Sequence, residues 1–545
     1  MIPSIALSPQ LKTVDKRGAL RRRVSIPLRF SDLKTFSNKI DQKAFLVDVS
    51  TSGARIESGF PLEVNQWVEF EDLAKANLES EIKSVMRQTW KTKGKIIWTK
   101  IQKGDSPMGT GKTIYIYGIQ FIQKTLEGFK FDFHKLIPRT VLALLFLGTL
   151  NVFYLKWFNL YFFWYSPVLN TYSVIISLYI LSRFLFATFY RSPKDQGYFP
   201  RISVIIACKN EEDSIRRTID CVYEADYPSE LLEVVVVNDG STDGTLEEMN
   251  KAKAVYPSLR VVDFKENRGK RHGMAVGADM AAGDILVYID SDSFIRRDGL
   301  YNIVQGFTDR TVGAICGHAN VSNVHRNILT KMQEVRYFVA FRVIKAAESI
   351  FSAVTCCSGC FSAYRREYVM PILPLWLNQT FLGEQATFGD DRSLTNFMLR
   401  KYRVIYHSEA VCSTMVPESY MVFFRQQLRW KKSWMRESLL ACQFMWKRHP
   451  VVAFFFYCGV VFPLIAPMIV LSALVLPLMG LWPFSFLYVY GATLMAILYS
   501  LVYFAYHRNG LWIWGVTFSF FYMLVLVWQT YYAFFTVKRN HWGTR

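Results

Sequence analysis

The stretch Gln426-Gln427-Leu428-Arg429-Trp430-Lys431-Lys432-Ser433-Trp434 joins two chemistries. Its arginine and lysines suit an anion, and its tryptophans suit a ring-shaped ligand. A solvated basic face has no need of tryptophan, and a membrane anchor has no need of paired glutamines. Upstream, three apolar runs each end in a polar turn: "PRISVIIACKNEE", "LLEVVVVNDGSTDGT" and "DILVYIDSDSF". In an open α/β sheet, ligands bind at the carboxyl ends of the strands. The turns at 207–212, 238–241 and 290–292 therefore point to one cleft. Asp290 and Asp292 offer carboxylate oxygens to a hard divalent cation and leave room for substrate phosphates. Asp239 can accept hydrogen bonds from a base or a ribose. Lys270, in "ENRGKRHG", can meet a ring carbonyl or a phosphate. A single Asp or Gly after a strand makes only an ordinary turn, but three such turns in succession weigh against that reading.

The elements that must position these residues form a multidomain membrane protein. In its 545 residues, 51% are apolar and 16% aromatic, and Lys+Arg exceed Asp+Glu by 64 to 44, a net charge of +20. Such a balance fits basic flanks of membrane helices or phosphate-rich ligands. No nucleic-acid-binding module is evident, so a nucleic acid polymer is not an expected partner. The nine cysteines, from Cys208 to Cys458, fit no disulfide framework and read as reduced thiols. Cys357 and Cys360 form a CxxC, but no second pair and no nearby histidine completes a zinc site. The N-terminus lacks the apolar core of a signal peptide.

Residues 10–130 alternate with period two and predict a small β domain. Residues 138–190 supply two membrane spans, at 139–159 and 168–190. Residues 198–445 predict an α/β domain ending in an amphipathic helix. Two more spans occupy 450–508. Lys135, Arg139, Arg191, Lys194, Arg201, Lys447, Arg448 and Arg508 flank the spans on one side, which places both soluble zones in the cytoplasm. Residues 511–536 then read as a helix at the membrane interface, since a fifth crossing would carry the basic tail outside.

Together, Asp239, Lys270 and the Asp290/Asp292 pair resemble family-2 glycosyltransferases of the GT-A fold. "CSGCFSAYRR" (357–366), "GDDRSLTN" (389–396) and "QQLRWKKSW" sharpen the likeness to processive synthases, especially hyaluronan synthases and chitin-synthase-like enzymes. The terminal Trp542-Gly543-Thr544-Arg545 is similar to the gating loop of hyaluronan synthases. The resemblance spans about 138–545 and implies the following roles. Asp239, Lys270, Asp290, Arg429, Trp542 and Arg545 bind the nucleotide-sugar, with a UDP-sugar the favoured donor. Asp292 holds Mg2+ or Mn2+. Cys357, Gly359, Gln426 and Trp430 bind the acceptor, a growing polysaccharide. Asp391 is the general base, with Asp390 beside it. One base and no second nucleophile imply a single inverting displacement to a β-linked polymer, which the membrane helices pass across the bacterial inner membrane. Periplasmic or outer-membrane export proteins are expected partners, alongside the lipid bilayer.

At the other end, Arg17 and Arg21 stand four apart before a strand, and Asp48-x-Ser50-x-x-Gly53 follows. These resemble the two signatures of PilZ domains, β-barrels that bind cyclic di-GMP. Arginine forks suit guanine O6/N7 and phosphate, Asp48 and Ser50 can accept from the guanine donor edge, and Gly53 permits a close backbone approach. The resemblance implies a synthase activated by cyclic di-GMP. Rival readings are an alginate-type synthase using a GDP-uronate, a non-processive enzyme acting on a lipid carrier, and a catalytically dead receptor.

Overall fold

A computed structural model divides the chain into two units, residues 1–132 and 133–545. In the first it describes the backbone of strands β1 (Thr13–Val14), β2 (Leu20–Asp32), β3 (Lys43–Val49), β4 (Gly53–Ser58), β5 (Trp67–Phe70), β6 (Thr92–Lys103) and β7 (Thr113–Phe121). In the second it describes residues 147–538 except 149, 152, 156, 159–166, 483 and 485. In the first unit the strands pair in the order β1-β2-β3-β4-β7-β6-β5, every pairing antiparallel. A further pairing of β2 with β5, through Phe30–Phe70 and Asp32–Val68, closes the sheet on itself. The period-two runs of the sequence give these strands.

In the second unit the chain enters through helix α1 (Pro167–Phe189) and then winds an α/β sheet. Its first part runs β8 (Ile202–Cys208), α2 (Ile215–Tyr223), β9 (Leu232–Asp239), α3 (Thr245–Val255), β10 (Arg260–Phe264), α4 (Lys270–Met280) and β11 (Ile285–Tyr288). These four strands are mutually parallel in the order β10-β9-β8-β11. Their near-continuous apolar runs follow from burial on both faces: Val204, Val236 and Val287 are wholly enclosed. The sheet continues through β12 (Ser293–Ile295), β13 (Val312–Val321), helix α5 (Ile328–Val339), β14 (Ser362–Arg365), helix α6 (Asp390–Leu399) and β15 (Arg403–Thr414). The full order is β10-β9-β8-β11-β14-β13-β15-β12, and β14 runs antiparallel to both β11 and β13.

Four longer pieces follow: α7 (Tyr420–Met445), α8 (Pro450–Val470), α9 (Phe486–His507) and the pair α10 (Ile513–Phe521) and α11 (Gln529–Phe535). Among the described residues, three helical stretches are long and apolar enough to cross a membrane, Val168–Phe189, Pro450–Leu478 and Tyr488–His507. The expected span at 139–159 lies largely outside the described residues. Residues 511–536 form no single straight helix, because the pieces Gly510–Leu526 and Gln529–Phe535 meet at 45°. Among the described residues three π-helical turns, Ala340–Lys345, Leu471–Val475 and Tyr522–Leu526, interrupt the helices. One hydrophobic core runs without a break from the sheet (Ile205, Ile315, Val404) to the apolar helices (Phe184, Val502, Tyr503), so the α/β sheet and those helices pack as one unit.

Candidate active site

The polar turns after β8, β9 and β11 line a cavity of about 690 Å3 together with the start of α4 and part of α7. A second cavity of about 540 Å3 adjoins it, walled by α5, the 355–360 loop, the start of α6 and α7. Lys270, Asp290, Tyr337, Arg429 and Trp430 line both.

In the first cavity Asp239 ends β9 and is 4% exposed. Its Oδ1 accepts from Arg268 N at 2.7 Å, and its Oδ2 accepts from Gly269 N at 3.0 Å. Gly240, at φ +62°, is needed there, since a Cβ would stand 2.7 Å from Asn267 N. Lys270 opens α4 and ion-pairs with Asp290. Burial opposes the charge of Lys270, but Asp290 and two further carboxylates outweigh it, so the ammonium is held above its ordinary pKa. Asp292 is pushed up to about 6, first by burial and then by the charge of Asp290, against a smaller opposing pull from Lys270. Thr414 Oγ1 donates to Asp292 Oδ1 at 3.3 Å.

Two crowded carboxylates, one of which resists ionising, are a fit for a divalent cation. Among the described residues no set of three or more His, Cys, Asp or Glu side chains is grouped to hold a metal. Two carboxylates would leave further coordination positions to phosphate and water, the arrangement Mg2+ favours. Gly359 closes this wall: a Cβ would lie 2.9 Å from Asp290 Oδ1.

In the second cavity Asp391 is half-buried at the first turn of α6. Its Oδ1 accepts from Arg392 N at 2.8 Å, and Cys356 Sγ approaches its Oδ2 at 3.5 Å. Asp390 is differently placed. It is 5% exposed and its Oδ1 accepts from Arg271 Nε at 2.7 Å, so its carboxylate is committed to an ion pair. Gly389, just ahead, has φ +79°, and a Cβ there would stand 1.9 Å from Ser433 Oγ of α7.

Arg429 and Trp430 sit on consecutive positions of α7. Burial lowers the Arg429 pKa, opposed by the charges of Asp391, Asp290 and Asp390. The Arg336 guanidinium lies over the Trp430 ring, 5.5 Å from its centroid. Gln426 lines the first cavity, and its Oε1 is buried with no hydrogen-bond partner among the described residues.

The structure therefore gathers Asp239, Lys270, Asp290, Asp292, Gly359, Asp391, Gln426, Arg429 and Trp430 around two adjoining cavities. Cys357 is not among them. It is wholly buried, it lines neither cavity, and burial followed by a hydrogen bond with Cys316 raises its thiol pKa. Its neighbours Cys356, Ser358 and Cys360 face the second cavity instead. Trp542 and Arg545 lie outside the described residues, as do Arg17 and Ser50. Arg21, Asp48 and Gly53 fall on the adjacent strands β2, β3 and β4. Sequence reading missed Tyr337, which faces both cavities, and Arg271. Only the basic pair "KR" at a helix start signalled the arginine.

The model of the family described as glycosyl transferase family 2 matches residues 203–373. A hyaluronan synthase of Streptococcus pyogenes is 31% identical over 422 residues, covering 75% of this chain and 98% of the relative. An N-acetylglucosaminyltransferase of Rhizobium meliloti (strain 1021) is 31% identical over 300 residues, covering 53% of this chain and 70% of the relative. Among solved structures, a mannosyltransferase from Pyrobaculum calidifontis in complex with GDP-Man and Mn2+ is similar with a TM-score of 0.48 and 23% identity, over 69% of this chain and all of that one.

Proposed function

This chain belongs to glycosyl transferase family 2, and from that premise we propose that it is a processive, inverting polysaccharide synthase of the inner membrane. It draws on a UDP-sugar and is activated by cyclic di-GMP at its N-terminal unit, read as a PilZ domain. The observation that carries this reading is the shared lining. Arg429 and Trp430, neighbours on α7, face both cavities, with Asp292 lining the first and Asp391 the second. A donor diphosphate in the first cavity and an acceptor sugar in the second would meet at this boundary.

The proposed reaction is one displacement. The acceptor hydroxyl oxygen bonds to the donor anomeric carbon while Asp391 takes the hydroxyl proton. The bond from that carbon to the diphosphate breaks, and its electron pair leaves on the nucleotide. Arg429, with its forked donors, stabilises the charge that develops there. Asp239 and Lys270 hold the nucleotide end. Asp290 and Asp292 would hold Mg2+ or Mn2+, which supplies further positive charge to the leaving diphosphate. Trp430 offers its ring face to the acceptor, and the apolar helices carry the polymer outward. By resemblance, Trp542 and Arg545 close over the donor.

The test is nucleotide release by the full chain in lipid nanodiscs with Mg2+ or Mn2+. UDP- and GDP-sugars are supplied singly and in pairs, with and without cyclic di-GMP, and product length is measured. Long polymer from a UDP-sugar, increased by the dinucleotide, is the expected result. Release only with a GDP-uronate would move the reading to an alginate-type polymer. A single sugar added to a lipid would remove processivity.

A further inference from the structure

The four residues Arg268–Gly269–Lys270–Arg271 bind three of the carboxylates of the site. The backbone N–H groups of Arg268 and Gly269 bind Asp239, the side chain of Lys270 binds Asp290, and the side chain of Arg271 binds Asp390. Three of these contacts lie on the donor side. The fourth crosses to the loop that carries Asp391, and the enzymatic reading above gives it no role.

The Arg271–Asp390 pair is buried, with the two side chains 3% and 6% exposed. Arg271 also donates through Nη1 to Trp376 O at 3.0 Å and Gln379 Oε1 at 3.3 Å. Gln379 continues the network, donating through Nε2 to Glu437 Oε1 of α7 at 3.1 Å. Glu437 is 1% exposed, accepts from Arg436 Nε at 2.9 Å, and meets Asn396 of α6 at 3.2 Å. Two arginines and two carboxylates are thus enclosed together, with charges that cancel. Apolar side chains of equal volume would hold these segments at no greater cost. Hydrogen bonds add fixed directions, which packing alone does not impose.

We propose that Arg271 is a positioning residue for the transfer step. By clamping Asp390 it sets the first turn of α6, and so the aim of Asp391, relative to the donor segment on one side and α7 on the other. The inference rests on the reading of Asp391 as the base. Asp390 and Asp391 are consecutive on a helix, so their side chains point about 100° apart around its axis. When Arg271 fixes the first, the second is fixed toward the cavity.

The test uses the full chain in nanodiscs and four variants: Arg271→Lys, Asp390→Asn, the exchange Arg271→Asp with Asp390→Arg, and Asp391→Asn. The readouts are UDP affinity, donor KM and kcat. Arg271→Lys and Asp390→Asn are expected to keep UDP affinity and KM within about twofold while kcat falls about 100-fold, the scale of a misplaced catalytic group. The exchange is expected to regain at least about tenfold of that loss, because it restores the pair. A kcat within about threefold of wild type in both single variants would overturn the proposal. So would loss of UDP affinity in step with kcat and no recovery in the exchange, which marks a folding effect. Full transfer by Asp391→Asn would remove the base reading itself, separately from the Arg271 result.

Discussion

Asp390 and Asp391 are adjacent and chemically identical, yet the fold gives them opposite fates. Asp390 is enclosed and paired with Arg271, whereas Asp391 faces the second cavity, its carboxylate accepting from a backbone N–H and meeting the Cys356 thiol. Asp391→Asn is therefore expected to lower transfer by about 10²–10⁴-fold, the usual worth of a general base, while UDP binding persists. Sugar incorporation and UDP titration on the same preparation check this, and retained synthesis would discard the assignment. At this scale much of the site was legible beforehand. Asp239, Asp290 and Asp292 follow apolar strands, and a strand end has a known destination in an α/β sheet. Arg271 and Glu437 were not legible, because Arg271 meets Asp390 and Glu437 meets Gln379 across more than fifty residues of chain, and only the packed fold brings them together. Cys357 was misjudged for a related reason. Local sequence shows that the loop reaches the site but not which of its side chains turn inward.

Among the elements, α7 governs the geometry. It presses on the base loop at Gly389, where the backbone is left-handed and no methyl group fits beside Ser433. Gly389→Ala is expected to cost about 1–3 kcal/mol for the backbone alone, with displacement of Ser433 in addition. A lower thermal midpoint and loss of transfer would be seen together, and a fully active, equally stable variant would contradict the contact. The same helix reaches the C-terminal pair through Lys431, whose Nζ donates to Leu526 O and lies 3.4 Å from Thr530 Oγ1. Burial, and then the charge of Arg336, pushes Lys431 down to about 7. In the unfolded chain this lysine keeps its proton up to its ordinary, higher pKa. Between the two values the unfolded state binds the extra proton, so stability rises with pH in that window, and below about 7 the penalty is complete. Lys431→Met removes this dependence. Its thermal midpoint relative to wild type is expected to fall between about pH 6.5 and about pH 9.5, and a constant difference would speak against a buried, titrating amine. The parallel strands β8, β9 and β11 were readable as unbroken apolar runs. The antiparallel insertion of β14 and the π-helical turns were not, since neither leaves a periodic mark.

For the molecule as a whole, the family membership and the apolar helices make it a membrane glycosyltransferase. The first unit forms a closed antiparallel sheet, and the dinucleotide-sensing role proposed for it is tested by its arginines. Arg17→Ala with Arg21→Ala is expected to abolish cyclic di-GMP binding and the rise in nucleotide release that it causes. Titration of the dinucleotide alongside the release assay checks both, and stimulation that survived would reject the receptor assignment. The period-two, apolar and α/β patterns change along the chain in the order in which the described strands and helices follow one another. The side chains of the two N-terminal signatures carry the remaining weight, and Arg17 and Ser50 fall outside the described residues.

Each π-helical turn holds one residue more than an α-helical path of the same length needs. The turn Tyr522–Leu526 ends at the carbonyl that Lys431 binds and stands immediately before the 45° bend into the last helix. Removing a single residue there would let the turn close as a regular α-helix while the residues of the last helix keep their facing, because the bulge already absorbs the extra residue. The same deletion inside the regular turns of Gln529–Phe535 would instead rotate the rest of that helix by about 100° about its axis. The chain thus holds a one-residue slack at Tyr522–Leu526 that its neighbouring turns lack.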